Sequence, residues 1–110
     1  MNDIDRVFGA LAEPTRRRVV EILIQGPQRA SDLASKAEMQ PTAMSRHLRV
    51  LRTTGVVEVE SASDDARERL YRLRPEAFVA MQAWLDQVQA FWSEQLESFK
   101  AHANRPGRRR

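Results

Sequence analysis

The chain has 110 residues, 42% of them hydrophobic, which is enough for one domain with a modest core and too little for two. It contains no cysteine, and that excludes a disulfide framework, thiolate zinc sites, iron-sulfur ligation and a cysteine nucleophile together. The net charge is +3 and the pI about 10.2, but Arg105 and Arg108 to Arg110 supply four of the positive charges, and without them the chain stands at −1. Bulk charge is therefore weak evidence for a polyanionic partner, and the placement of charge matters more.

The opening stretch MNDIDRVFGALAEPTRRR carries acids at Asp3 and Asp5 and charge again at Glu13, so it holds no secretory apolar core. No run is long enough to span a bilayer. The expectation is a soluble cytoplasmic protein without a membrane partner. Ile4, Val7, Phe8 and Leu11 recur at i, i+3, i+4, i+7 and predict a short first helix. Glu13-Pro14-Thr15 should end it, with Thr15 capping a second helix striped by Val19, Val20 and Leu23, with Ile22 beside them. Gly26-Pro27 stops that helix. Ala30, Leu33, Ala34 and Ala37 predict a third, barely two turns long, and a break at Glu38 to Gln40 leads to Pro41, which suits the first turn of a fourth. That fourth helix should run to Thr54, with Gly55 as its stop. Two short helices joined by a tight turn form a helix-turn-helix candidate.

Beyond Gly55 the pattern changes to β-branched Val56, Val57 and Val59, a polar turn over 61–66, and then Leu70, Tyr71 and Leu73, so 56–74 reads as a β-hairpin. Pro75 opens a last helix, in which Phe78, Met81, Leu85, Val88 and Trp92 alternate steps of three and four while Trp84 and Phe91 widen the stripe. These elements read as a mainly α domain over residues 1–104, a helix-turn-helix followed by a two-stranded β-hairpin and a long apolar C-terminal helix, with an Arg-rich tail over 105–110 that is expected to be disordered.

The fourth helix carries the functional signal. Met44, Leu48 and Leu51 stand at i, i+4, i+7 and must face the core, while Thr42, Ser45, Arg46 and Arg49 occupy the opposite face. Residues 42–54 also include Arg52 and no acid, whereas 76–104 hold four acids against Lys100 alone. Arginines that fork onto guanine edges or phosphates, beside small hydroxyl residues that allow close approach, are what a DNA major groove requires. A merely solvated face is the alternative, but the preceding short helix and turn and the following hairpin with Arg67, Arg69 and Arg72 favour DNA. His47, on the same helix, has no catalytic company and is assigned to packing or to the DNA contact. Arg17 can pair with Glu21 one turn on, which assigns Arg16 to Arg18 to structure.

The stretches ALAEPTRRRVVEIL, SDLA, PTAMSRHLRVLRTTGVVEVE and RLYRL resemble the ArsR-type family of winged helix-turn-helix repressors over roughly residues 4–85. The pattern SxHLxxLxxxGxV appears as Ser45, His47, Leu48, Leu51, Gly55 and Val57. The resemblance implies a homodimer built from the first and last helices, a recognition helix at 41–54, a wing reaching the DNA backbone or minor groove, and repression by occupying an operator. The expected DNA-contacting set is Thr42, Ser45, Arg46, His47, Arg49, Arg52, Arg67 and Arg69, and the expected dimer interface is Ile4, Val7, Phe8, Phe78, Met81, Leu85, Val88 and Trp92.

Departures from the family pattern matter as well. Arg29 and Ser31 stand where metal-sensing members carry cysteines, and the last helix offers only His102, so neither a metal nor another cofactor is expected and any effector stays open. Asp64 and Asp65 put acids at the wing tip, and Glu38 occupies a turn position that is often glycine, which predicts mild backbone strain. A protein-interaction module on a degenerate winged helix is the alternative, disfavoured by an arginine face it would not need. An enzyme would require catalytic groups that two distant histidines do not supply.

Overall fold

A computed structural model describes residues 3–61 and 69–103. The helices α1 (Asp3–Leu11), α2 (Pro14–Leu23), α3 (Ala30–Lys36) and α4 (Pro41–Thr53) precede strands β1 (Val57–Ser61) and β2 (Arg69–Leu73), and α5 (Pro75–Ala103) follows. This is the mainly helical fold with a two-stranded hairpin that the periodicity predicts. The chain divides into two compact units, one ending at Phe78 and the other comprising α5 from Val79 onward.

In the first unit the core gathers where the apolar stripes of the helices converge. Met44, Leu48 and Leu51 of α4 are buried, with Met44 and Leu51 at 0% exposure. Val19, Ile22 and Leu23 of α2, Leu33 and Ala34 of α3, and Val56 and Val57 at the start of the wing complete this core. Burying a leucine contributes about 1.5–3 kcal/mol, so the three residues on α4 anchor that helix firmly. Helix α1 packs on α2 and α4 and buries Val7 and Ala10.

The start of α2 and its buried stripe both differ from the sequence expectation. Helix α2 begins at Pro14, not after Thr15: Glu13 is the N-cap, at φ −90° and ψ 127°, and its carboxylate accepts the Arg16 N–H at 2.9 Å. The extended backbone that Pro14 imposes on its predecessor is the conformation an N-cap needs. The buried face of α2 is Val19, Ile22 and Leu23, with Val20 only half-buried, because steps of three and four keep a stripe on one side.

The turn between α3 and α4 is tight. The Glu38 N–H donates to the Ser35 carbonyl at 3.1 Å and the Met39 N–H to the Ala34 carbonyl at 2.9 Å, the paired bonds of a Schellman motif. That motif needs a left-handed residue, and Glu38 takes it at φ +54°. The same pair of bonds closes α4, from Gly55 to Arg52 and from Val56 to Leu51, with Gly55 at φ +84°. One left-handed position thus holds glycine and the other glutamate, as the sequence predicts.

The wing pairs antiparallel, Val57 opposite Leu73 and Val59 opposite Tyr71. Gln28, in the loop after α2, exchanges two hydrogen bonds with Tyr71, N–H to carbonyl at 3.0 Å and carbonyl to N–H at 2.8 Å, and so adds a one-residue bridge to β2. Helix α5 is 29 residues long; among the described residues no helix is long and apolar enough to cross a membrane.

Replacing Glu38 by glycine removes the left-handed strain at some cost in unfolded-state entropy. The expected outcome is a gain of about 0.5–1 kcal/mol and a rise in Tm of about 3–6 °C. A lower Tm in thermal denaturation would mean that the Glu38 side chain itself supports the turn.

Candidate nucleic-acid interface

Helix α4 presents Thr42, Ser45, Arg46, Arg49 and Arg52, all exposed, on the side away from buried Met44, Leu48 and Leu51. Pro41 at the first turn needs no hydrogen-bond partner for a missing N–H, and no acid lies in the helix to oppose a polyanion. Ser45, Leu48, Arg49, Arg52 and Thr53 line an open depression of about 490 Å³ together with Tyr71 of β2. Arginine face and wing are thus brought together along one groove. The sequence marks Tyr71 only as a strand residue; its alternation with Arg69 is the signal that both share one strand face.

The wing arginines separate. Arg69 is exposed, on the strand face of Tyr71. Arg72 lies on the other face, directly opposite Glu58, and its guanidinium is 3.3 Å from that carboxylate. Arg67, Asp64 and Asp65 lie outside the described residues, as do the arginines of the tail.

His47 is placed apart from the arginine face. It stands three residues after Met44 and four before Leu51, at the edge of the core stripe, and it is half-buried. Its Nδ1 lies 3.8 Å from Glu13 Oε2 and 3.4 Å from Arg16 Nη1. Burial pushes the Glu13 carboxyl up, but the Arg16 N–H, the His47 ring and the Thr15 hydroxyl and N–H outweigh it and hold the group below its ordinary value.

The arginine cluster on α2 is structural, though through different partners than the spacing suggests. Arg17 donates to the Leu11 and Ala12 carbonyls at 2.8 and 3.1 Å, and Arg16 Nε donates to the Ala10 carbonyl, so both satisfy the open C-terminus of α1. Glu21 is instead 3.9 Å from Arg18. A carbonyl end with unpaired acceptors is a stronger attractor for a guanidinium than an exposed carboxylate one turn away.

Of the residues expected at a dimer interface, Val7 is buried within its own chain, while Ile4 and Phe8 are half-buried. On α5, Phe78, Met81 and Val88 are half-buried, Leu85 is 48% exposed and Trp92 57%. Trp84 and Phe91 are exposed too, and the stripe continues through Leu96 and Phe99, which the sequence reading stopped short of although the steps of four and three persist. Phe91 and Trp92 meet edge to face, centroids 5.9 Å apart.

The bacterial regulatory protein family arsR matches residues 13–59, from the cap of α2 into β1. The HTH-type transcriptional regulator Rv2034 of Mycobacterium tuberculosis is 36% identical over 95 residues, covering 86% of this chain and 83% of that protein. The chain belongs to the ArsR family. The transcriptional repressor SdpR of Bacillus subtilis is 32% identical over 54 residues, 49% of this chain and 60% of that protein. The solution structure of the homodimeric winged helix-turn-helix DNA-binding domain of Mb0332 from Mycobacterium bovis superposes with a TM-score of 0.60 at 26% identity, covering 86% of this chain and 82% of that one. This ArsR-family chain is a transcription regulator with a winged helix-turn-helix DNA-binding domain. Among its described residues no three His, Cys, Asp or Glu side chains gather as a metal site.

The depressed Glu13 carboxyl carries a sign for stability. Its contribution is complete above the ordinary carboxyl value of 4.5 and is lost as pH falls through the lower folded value. Glu13→Gln should therefore flatten the loss of stability below about pH 4.5 and leave the curve above that pH parallel to wild type. Glu76, held low first by its own N–H, against burial, and by Arg74, keeps part of the acid dependence in place. Identical acid limbs in urea titrations of both proteins would show that the cap has no electrostatic role.

Proposed function

We propose that two copies of this regulator bind an imperfectly palindromic operator in the cytoplasm and repress transcription by occupying it. The observation that carries this reading is the acid-free, exposed face of α4, with Arg46 and Arg49 beside Thr42 and Ser45 and with Arg52 along the groove toward Tyr71. Arg69 extends the positive surface along the wing, and Arg67, outside the described residues, is proposed as a further contact. His47 serves the fold of the recognition helix more than the contact itself, since its ring turns toward Glu13 and Arg16. No catalysis is proposed. A module for protein partners alone would have no use for three exposed arginines on one helix.

The second copy covers the stripe of Phe78, Met81, Leu85, Val88 and Trp92 on α5, and Ile4, Val7 and Phe8 of α1 are expected to take part in the pairing as well. An apolar run this long is costly to leave in water. The homodimeric state of the Mb0332 domain and the repressor role of SdpR support pairing and repression. Pairing sets two recognition helices about one DNA turn apart, roughly 34 Å.

Alanine at Arg46 or Arg49 should leave the fold intact and weaken binding to an operator obtained by in vitro selection. If the contact is a fork to guanine, discrimination at that base falls by about 1–3 kcal/mol; if to phosphate, the loss is sequence-independent and the salt slope drops by about one. Unchanged affinity in both variants would overturn the assignment of this face.

Leu85→Glu or Val88→Glu should yield monomers that lose most operator affinity while nonspecific binding partly survives. Sedimentation and fluorescence anisotropy on the same variants decide the matter. A monomeric wild type, or a monomeric variant that still binds tightly, would refute dimerisation through α5.

A further inference from the structure

The Arg16 guanidinium lies between two helices. Nε donates to the Ala10 carbonyl at the end of α1, and Nη1 lies 3.4 Å from His47 Nδ1 on α4. The backbone N–H of the same residue is taken by Glu13 Oε2 at 2.9 Å, and that oxygen is also 3.8 Å from the His47 ring. A second strap runs from Arg6 on α1, whose Nη2 donates to the Thr53 carbonyl at 2.9 Å in the last turn of α4. The recognition helix is thus tied to α1 at two points six residues apart, about 9 Å along its axis.

The tie at His47 lies off the face that reads DNA, at the edge of the core stripe. The core face of α4 is held by Met44, Leu48 and Leu51, whose burial is strong but non-directional and tolerates small rotations and slides. Arginine forks on base edges do not tolerate them; such groups need to be held within about 0.5 Å and 10–20°. Directional contacts are what remove that freedom.

We infer that Arg16 is a positioning residue for DNA recognition: by bridging the end of α1 to His47 it fixes the rotation of α4 and itself touches no nucleic acid. This rests on the operator reading above. The half-buried guanidinium directs Nε at a carbonyl and Nη1 at the ring, which leaves it poorly placed for phosphate. In that contact the guanidinium N–H donates and Nδ1 accepts.

The test is a double-mutant cycle of Arg16→Ala and His47→Ala, read by anisotropy at fixed salt on the selected operator and on scrambled DNA, with Arg16→Lys and His47→Gln beside it. Each alanine should cost about tenfold on the operator, on the order of 1.4 kcal/mol, and the double variant no more than the worse single one. Binding to scrambled DNA and the salt slope should not move. Arg16→Lys keeps the charge but has a single compact ammonium that cannot span both partners, so it should lose affinity as the alanine does; His47→Gln keeps an acceptor and should restore it. Additive losses, full activity of Arg16→Lys, or a salt slope lower by about one would overturn the inference, the last by showing a phosphate contact. A wild type with no preference for any operator would overturn the DNA reading itself.

Discussion

Three side chains seven residues apart end to end, Met44, Leu48 and Leu51, fix what α4 can do. Their burial is the point at which α2, α3 and the start of the wing meet the recognition helix. Once that stripe faces inward, helical geometry leaves Thr42, Ser45, Arg46 and Arg49 no choice but to face outward. The proposed DNA-reading surface is therefore a by-product of core packing: the same helix that closes the core presents the arginines. A change that loosened the core would blur recognition before it removed a single contact.

The remainder of α5 has a different physical character. Within the first unit nearly every large apolar side chain on the helices finds cover in its own chain. From Val79 onward only Met81 and Val88 are half-buried, the other large apolar side chains are exposed, and Leu96 and Phe99 carry the stripe toward the end of the helix. Nothing in local propensity demands this, because a helix can be stabilised with polar residues alone. The spacing of three and four is a pattern for burial, and the second copy proposed above would supply the cover it calls for.

How legible all this was depended on whether the signal was periodic. The helices, the hairpin and the core of α4 follow from apolar spacing alone, and the left-handed turn at Glu38 follows from where the turn must fall. Choices among competing polar partners were less legible. Thr15 is a better cap than Glu13 by residue type, yet Pro14 decides the matter by fixing the backbone of the residue before it. Arg17 has a partner at helical spacing in Glu21, yet it reaches carbonyls of α1 that only the tertiary arrangement brings near. His47 shows both sides: its spacing to Met44 and Leu51 already places it at the core edge, and its type drew it onto the DNA-contacting set. The bridge at Gln28 left no trace in periodicity, since a single residue has none.

That bridge bears on how the wing meets other chains. A two-stranded ribbon exposes a row of unpaired donors and acceptors on each edge, and such edges recruit foreign strands. Gln28 takes the Tyr71 donor and acceptor on the outer side of β2, midway along it. Two residues on, where the next hydrogen-bonded pair with β2 would fall, Ala30 already begins α3, so the added pairing cannot lengthen into a third strand in that direction. The edge is sealed at its centre by one residue and cut short by the helix that follows, which guards the wing against intermolecular β-pairing without stiffening it into a broader sheet.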